Sequence, residues 1–174
     1  KEDNELLWQA LEDGTIDFIA TDHAPYDIAT EKSAPDMNIW TSFPGIPGTE
    51  TMVPVIVSEG YNKGRLSLHR LVEVLSTNAA IHYGLYPRKG ALLVGSDADF
   101  TILDLDREWV IDEAAMQTKS KYTPLHGMKL KGAIDRTIVR GTVVYENGQI
   151  VGAPGYGEFI KRQAIRSLPR MIQY

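Results

Sequence analysis

Ile19-Ala20-Thr21-Asp22-His23-Ala24-Pro25 places a carboxylate where the apolar run Thr15-Ile16-Asp17-Phe18-Ile19-Ala20 gives out. The run reads as a strand, and Pro25 stops it and starts a loop. In parallel α/β architectures the C-terminal ends of strands are where chemistry is assembled, which makes Asp22 a candidate metal ligand or general base. The plainer reading of Asp after a strand is a turn former or helix cap.

Upstream, Asn4 is positioned to cap a helix whose apolar residues Leu7, Ala10 and Leu11 fall at spacings of three and four, with Trp8 beside them and Gly14 as the stop. Helix then strand makes one αβ unit. Downstream, residues 26–48 have little periodicity, and Pro25, Pro35, Pro44 and Pro47 punctuate them; a loop of that length in a compact domain is functional or mobile. Helical pattern returns over 50–59, over 67–75 with Leu68, Leu71, Val72 and Leu75 on one face, and over 78–83 before Gly84. After Gly90 the texture turns to short β-like runs at 99–103, 109–111, 136–140 and 142–146, and Asn147-Gly148 predicts a type I′ hairpin into Gln149-Ile150-Val151. A domain boundary is expected near residue 88, with β-strands over 89–152 and an amphipathic or extended tail over 153–174.

The chain has 174 residues, 43% hydrophobic and 24% charged, enough to bury a core. It has no cysteine, which excludes disulfides and thiolate metal sites and leaves His, carboxylates or other oxygens to hold any metal. A net charge of -5 with scattered basic residues offers no general attraction to nucleic acid, so a small-molecule partner is expected. No apolar run approaches the roughly 18 residues that span a bilayer, and a cytoplasmic location is the expectation.

Asp22-His23, Glu31-Lys32 and Pro44-Gly45-Ile46-Pro47-Gly48-Thr49-Glu50-Thr51 together closely resemble the final barrel segment of the cyclic amidohydrolases, the group of dihydroorotases, hydantoinases (dihydropyrimidinases) and allantoinases. Gly64-Arg65-Leu66-Ser67-Leu68, Leu75-Ser76-Thr77-Asn78-Ala79-Ala80 and Gly84-Leu85 look like that family's closing helices. Lys89-Gly90 and Val94-Gly95-Ser96-Asp97-Ala98-Asp99-Phe100 resemble its strand returning to the small β-domain. The Gly-Ser-Asp-Ala-Asp piece by itself points only to the wider amidohydrolase superfamily.

The resemblance implies an α/β fold: the C-terminal part of a (β/α)8 TIM-like barrel over 1–88, strands of a small flanking β-sandwich over 89–152, and the tail. Such a barrel takes about 250 residues, and one convincing barrel strand together with Lys1 as first residue leads us to expect a C-terminal portion of a larger enzyme. The implied activity is metal-dependent hydrolysis of a C–N bond in a cyclic amide or ureide, within pyrimidine metabolism. Two zinc ions are implied, with Asp22 both metal ligand and catalytic acid/base; the family's His-x-His pair, carboxylated Lys and two later His fall outside this chain. Tyr26 and the main chain of Pro44 and Gly45 are the implied substrate contacts. For His23 a substrate role, a hydrogen bond supporting the site and a structural one stay open, because along an extended backbone its side chain would point away from Asp22. His69, His82 and His126 read as structural or solvent-facing.

Tyr26 stands where dihydroorotases usually carry a second His for the substrate carboxylate, and it brings no positive charge. Tyr26 and the tail favour hydantoin-like ureides, whereas Ala24-Pro25, Pro44 to Thr51 and Gly64 to Leu68 favour a dihydroorotase. Dihydroorotase is the narrow expectation, with hydantoinase/dihydropyrimidinase or allantoinase as alternatives; rivals from other classes are a metal-free assembly partner and an inactive truncated product. Association into homo-oligomers is expected, and a companion fragment would be needed to supply the rest of the barrel. Trp40, Phe43 and Met37 read as lid packing or as lining of an apolar pocket, and Lys32 and Arg65 as solvated surface or anion contacts.

Overall fold

The computed structural model describes residues 2–33 and 36–162. Pro35, and the tail expectation beyond Arg162, lie outside the described residues. Helix α1 (Glu2–Glu12) begins three residues earlier than the Asn4 cap predicts, its first turn rich in acidic side chains that suit a helix N-terminus. It buries Leu11 and leans Trp8 on the core, while Leu7 stays 54% exposed against expectation. The expected strand ending at Asp22 is not one: residues 17–27 run without a ladder partner. A parallel strand needs a neighbouring strand to satisfy its backbone, and no strand among the described residues pairs with this one. Ile19 N–H instead bonds the Val74 carbonyl, and the Asn78 amide bonds the Asp17 carbonyl.

The three predicted helical segments form, but in short pieces. Helix α2 (Met52–Ile56) runs into a π turn (Val57–Tyr61), and α3 (Leu68–Val72), capped by Ser67 on the Arg70 N–H, runs through a second π turn (Glu73–Thr77) into α4 (Asn78–His82). Of the predicted face, Leu71 is buried and Leu75 half-buried, Leu68 and Val72 are exposed, and Val74 fills the core instead. Leu11, Val57, Leu66, Leu71 and Val74 form that core. Arg70 is buried within it, donating to the carbonyls of Leu11 and Ile16 and to Glu73, which ties α1, the extended segment and α3 together.

Strands β1 (Phe100–Val110), β2 (Lys129–Val139), β3 (Thr142–Glu146) and β4 (Gln149–Ile150) form one antiparallel sheet in that order. The two runs predicted at 99–103 and 109–111 are one strand with a register shift between Asp104 and Glu108. Asn147 and Gly148 both have positive φ and close the predicted hairpin. The sheet seats on the π turn that follows α2: a Cβ on Gly132 would collide with Val57 Cγ1, and Asn62 donates to the carbonyls of Leu105 and Lys131. The Gly-Ser-Asp-Ala-Asp stretch explains itself as a joint. Asp97 and Asp99 both pair with Lys89 and Asp99 also accepts the Arg140 N–H, so closing helices and sheet share one charge cluster. Among the described residues no helix is long and apolar enough to cross a membrane.

Candidate active site

Asp22 occupies the left-handed region at φ 45°, where Asp is tolerated better than bulkier residues. Its side chain is exposed, and among the described residues nothing donates a hydrogen bond to it. It is therefore neither helix cap nor turn-closing acceptor. Asp27, five residues on, shows what that role looks like: its carboxylate takes the Thr30 hydroxyl and N–H, which hold it below the usual carboxylate range, while its own N–H bonds Glu31. Of these two, the uncommitted carboxylate is Asp22.

The turn at Asp22 breaks the strand alternation on which His23 was expected to point away. His23 folds onto the distant end of the loop, its Nδ1 accepting from the N–H of Gly48 at 3.1 Å and of Thr49 at 3.3 Å. Ala24 N–H bonds the Ile46 carbonyl, and Lys32 donates to the carbonyls of Phe43 and Gly45. Lys32 is accordingly a loop clasp rather than solvated surface or an anion contact. Three closures, from His23, Ala24 and Lys32, hold residues 23–32 against 43–49, so the structure brings Asp22, His23, Tyr26, Pro44 and Gly45 into one region.

Tyr26 is half-buried, its ring 5.1 Å from that of Phe43, with Lys32 Nζ 5.9 Å above it. Gly45 has φ 113°, and a Cβ there would lie 2.6 Å from Ala24 Cβ, so only glycine allows the approach. Around it the carbonyls of Gly45 and Ile46 are spent on Lys32 and Ala24. Among the described residues the Pro44 carbonyl and the N–H groups of Gly45 and Ile46 have no partner. Trp40 is 91% exposed at the loop tip, whereas Phe43 packs on Tyr26.

Sequence reasoning missed Glu50 and the β1–β2 connector. Glu50 accepts the N–H groups of Gln117 and Thr118, and Lys119 adds to the charge balance at Asp27, which puts that connector on the border of the Asp22 region. Glu50 lies in the quoted Pro44–Thr51 stretch, but nothing local to it foretells a partner 67 residues away. The remaining histidines behave as expected: His69 pairs with Glu73, His82 stacks on Phe18 and Tyr83, and His126 accepts the Glu113 N–H. Arg65, read as surface, lies over the Trp8 ring and pairs with Glu5 and Glu59.

A model of the Amidohydrolase family matches residues 2–144. An L-hydantoinase of Paenarthrobacter aurescens is 43% identical over 160 residues, covering 92% of this chain and 35% of its own length. Among solved structures, a D-hydantoinase superposes with TM-score 0.89 at 35% identity, covering 94% of this chain and 35% of that one. The L-hydantoinase (dihydropyrimidinase) from Arthrobacter aurescens superposes with TM-score 0.84 at 44% identity, covering 90% of this chain and 34% of its own. The chain spans about a third of the length of the curated relatives it matches.

Proposed function

Because this chain belongs to the Amidohydrolase family, within the cyclic amidohydrolase group that contains the hydantoinases, we propose that it supplies the catalytic carboxylate and one wall of the substrate site to an enzyme that opens a cyclic amide. The observation that carries the reading is Asp22 itself: a left-handed, solvent-facing carboxylate with no structural duty, held beside a loop rich in unpaired main-chain groups.

Ring opening needs an attacking water, a polarised carbonyl and a proton for the leaving nitrogen. Asp22 takes the proton of the water and returns it to the nitrogen. The Pro44 carbonyl offers an acceptor and the Gly45 and Ile46 N–H groups offer donors, the complement of the –NH–CO– edge of a cyclic amide. Tyr26, backed by Phe43, closes the side of that edge.

Zinc is the metal we propose; Asp22 would be one of its ligands, and when bound it would supply the electrophile for the substrate carbonyl. Asp22 is a suitable oxygen donor, but no three His, Asp or Glu side chains converge among the described residues, so they do not make a metal centre by themselves. The other ligands would come from barrel strands in the part of the relatives' length that this chain does not span. The same reading makes residues 1–88 the end of a (β/α)8 barrel and 89–152 part of a β-sandwich. It also makes a homo-oligomer or a companion polypeptide a natural setting, and the cytoplasm a natural location.

For the substrate, likeness to hydantoinases and a Tyr26 in place of a cationic residue favour a hydantoin-type cyclic ureide over the narrower dihydroorotase expectation. The test is a substrate panel on zinc-supplemented protein from its native source: 5-substituted hydantoins, dihydrouracil, dihydroorotate and allantoin, with ring opening followed by mass. Turnover of hydantoins well above dihydroorotate is the expected result. Preference for dihydroorotate overturns the substrate assignment, and no turnover of any favours a metal-free assembly partner.

A further inference from the structure

We infer that His23 is a positioning residue. Its Nδ1 tethers the amides of Gly48 and Thr49 and so fixes where the Pro44–Thr49 main chain stands relative to Asp22. The inference deepens the proposed reading of that loop as a substrate wall and rests on it for its functional consequence.

Two amides converge on one ring nitrogen, at 3.1 Å and 3.3 Å. An imidazole nitrogen accepts only when it carries no proton, so the geometry assigns the tautomer. The donors lie 25 and 26 residues along the chain, and the contact thereby closes the whole loop onto the residue next to Asp22. The other two closures, Ala24 to Ile46 and Lys32 to Phe43 and Gly45, hold the middle of the loop but not its return. Without the His23 tether, the unpaired donors and acceptor around Gly45 keep their identity but lose a fixed distance from Asp22. Ground-state orientation of the substrate is what such a loss degrades. Nε2 has no partner among the described residues, so the ring's one structural commitment there is the tether.

The test begins on the full chain labelled with nitrogen-15. Couplings through the N–H···N bonds from Gly48 and Thr49 to His23 Nδ1, and imidazole shifts that mark Nδ1 as unprotonated, are expected. His23→Ala should speed exchange of those two amides about tenfold, the equivalent of one net hydrogen bond. His23→Asn, whose Oδ1 stands where Nδ1 stood, should keep them slow. In the active protein, H23A should raise KM about tenfold with a smaller effect on kcat, and H23N should restore it. A proton on Nδ1, or unchanged exchange in H23A, overturns the tether; because the couplings are measured on the unaltered chain, they decide the matter even where a variant fails to fold. Intact couplings in a protein that turns over no cyclic amide uphold the tether and count against the proposed function instead.

Discussion

The Glu50 carboxylate accepts the Thr118 N–H at 2.6 Å and the Gln117 N–H at 2.8 Å, joining the loop that ends at His23's tether to the connector between β1 and β2. Thr49 is held from one side and Glu50 from the other, so the candidate substrate wall is fixed to both the helical and the sheet portions of the chain. Glu50→Ala removes a charged acceptor and leaves a half-buried amide unpaired, which should cost about 2 kcal/mol. Glu50→Gln, keeping one acceptor oxygen, should cost about half of that; urea unfolding of the two variants measures both.

Lys89 ties the closing helices to the sheet through Asp97 and Asp99. Burial alone would lower the Lys89 pKa, but hydrogen bonds to the two carboxylates outweigh it and raise it above 10.5, while the Lys89 hydrogen bond lowers Asp97 below 3.8. A lowered carboxylate contributes stability that is present above 3.8 and lost as pH falls through its folded value. A raised lysine contributes stability that is present below 10.5 and lost as pH rises through its folded value. Thermal melts of wild type and Lys89→Met should therefore differ by a constant amount across the neutral range, and the difference should shrink at both extremes.

Gly132 holds φ 108° with Val57 Cγ1 where a Cβ would go. Gly132→Ala meets both a strained backbone and an overpacked seat, and should destabilise by about 3 kcal/mol. Adding Val57→Ala relieves the clash and not the φ, so the double variant should recover part of the loss relative to the sum of the singles. Guanidinium unfolding of the three variants checks that order.

Arg70 spends its guanidinium on the Leu11 and Ile16 carbonyls and on Glu73 inside the core. Arg70→Met should cost about 3 kcal/mol, since it strips donors from buried acceptors and takes a partner from a carboxylate on a residue only 9% exposed. Arg70→Lys should recover little of it, because one ammonium cannot reproduce a planar fork. Chemical unfolding checks the order wild type, Lys, Met.

Much of this was legible from local pattern. Asn147-Gly148 announces its hairpin because the turn chemistry is contained in two residues, and the three closing helices follow from the spacing of their apolar side chains. Asp22 was legible by its place after an apolar run, although that run is not a strand here. Strand character depends on a neighbour, which no single segment encodes. What stayed hidden shares one property, long sequence separation: Glu50 with Thr118, His23 with Gly48, and Asn62 with Lys131 are set by how the segments dock. The Asp97 and Asp99 motif was visible as a family mark, but its work as a charge joint needs Lys89 and Arg140 beside it.

The central claim is that Asp22 is the catalytic carboxylate, and the direct measurement is cyclic-ureide ring opening by zinc-supplemented native protein and by the same protein carrying Asp22→Asn. The account predicts turnover by the native protein and a loss of at least about a hundredfold in kcat for the variant, the scale of a lost acid/base group, with folding unchanged by circular dichroism. Full activity in Asp22→Asn would contradict it.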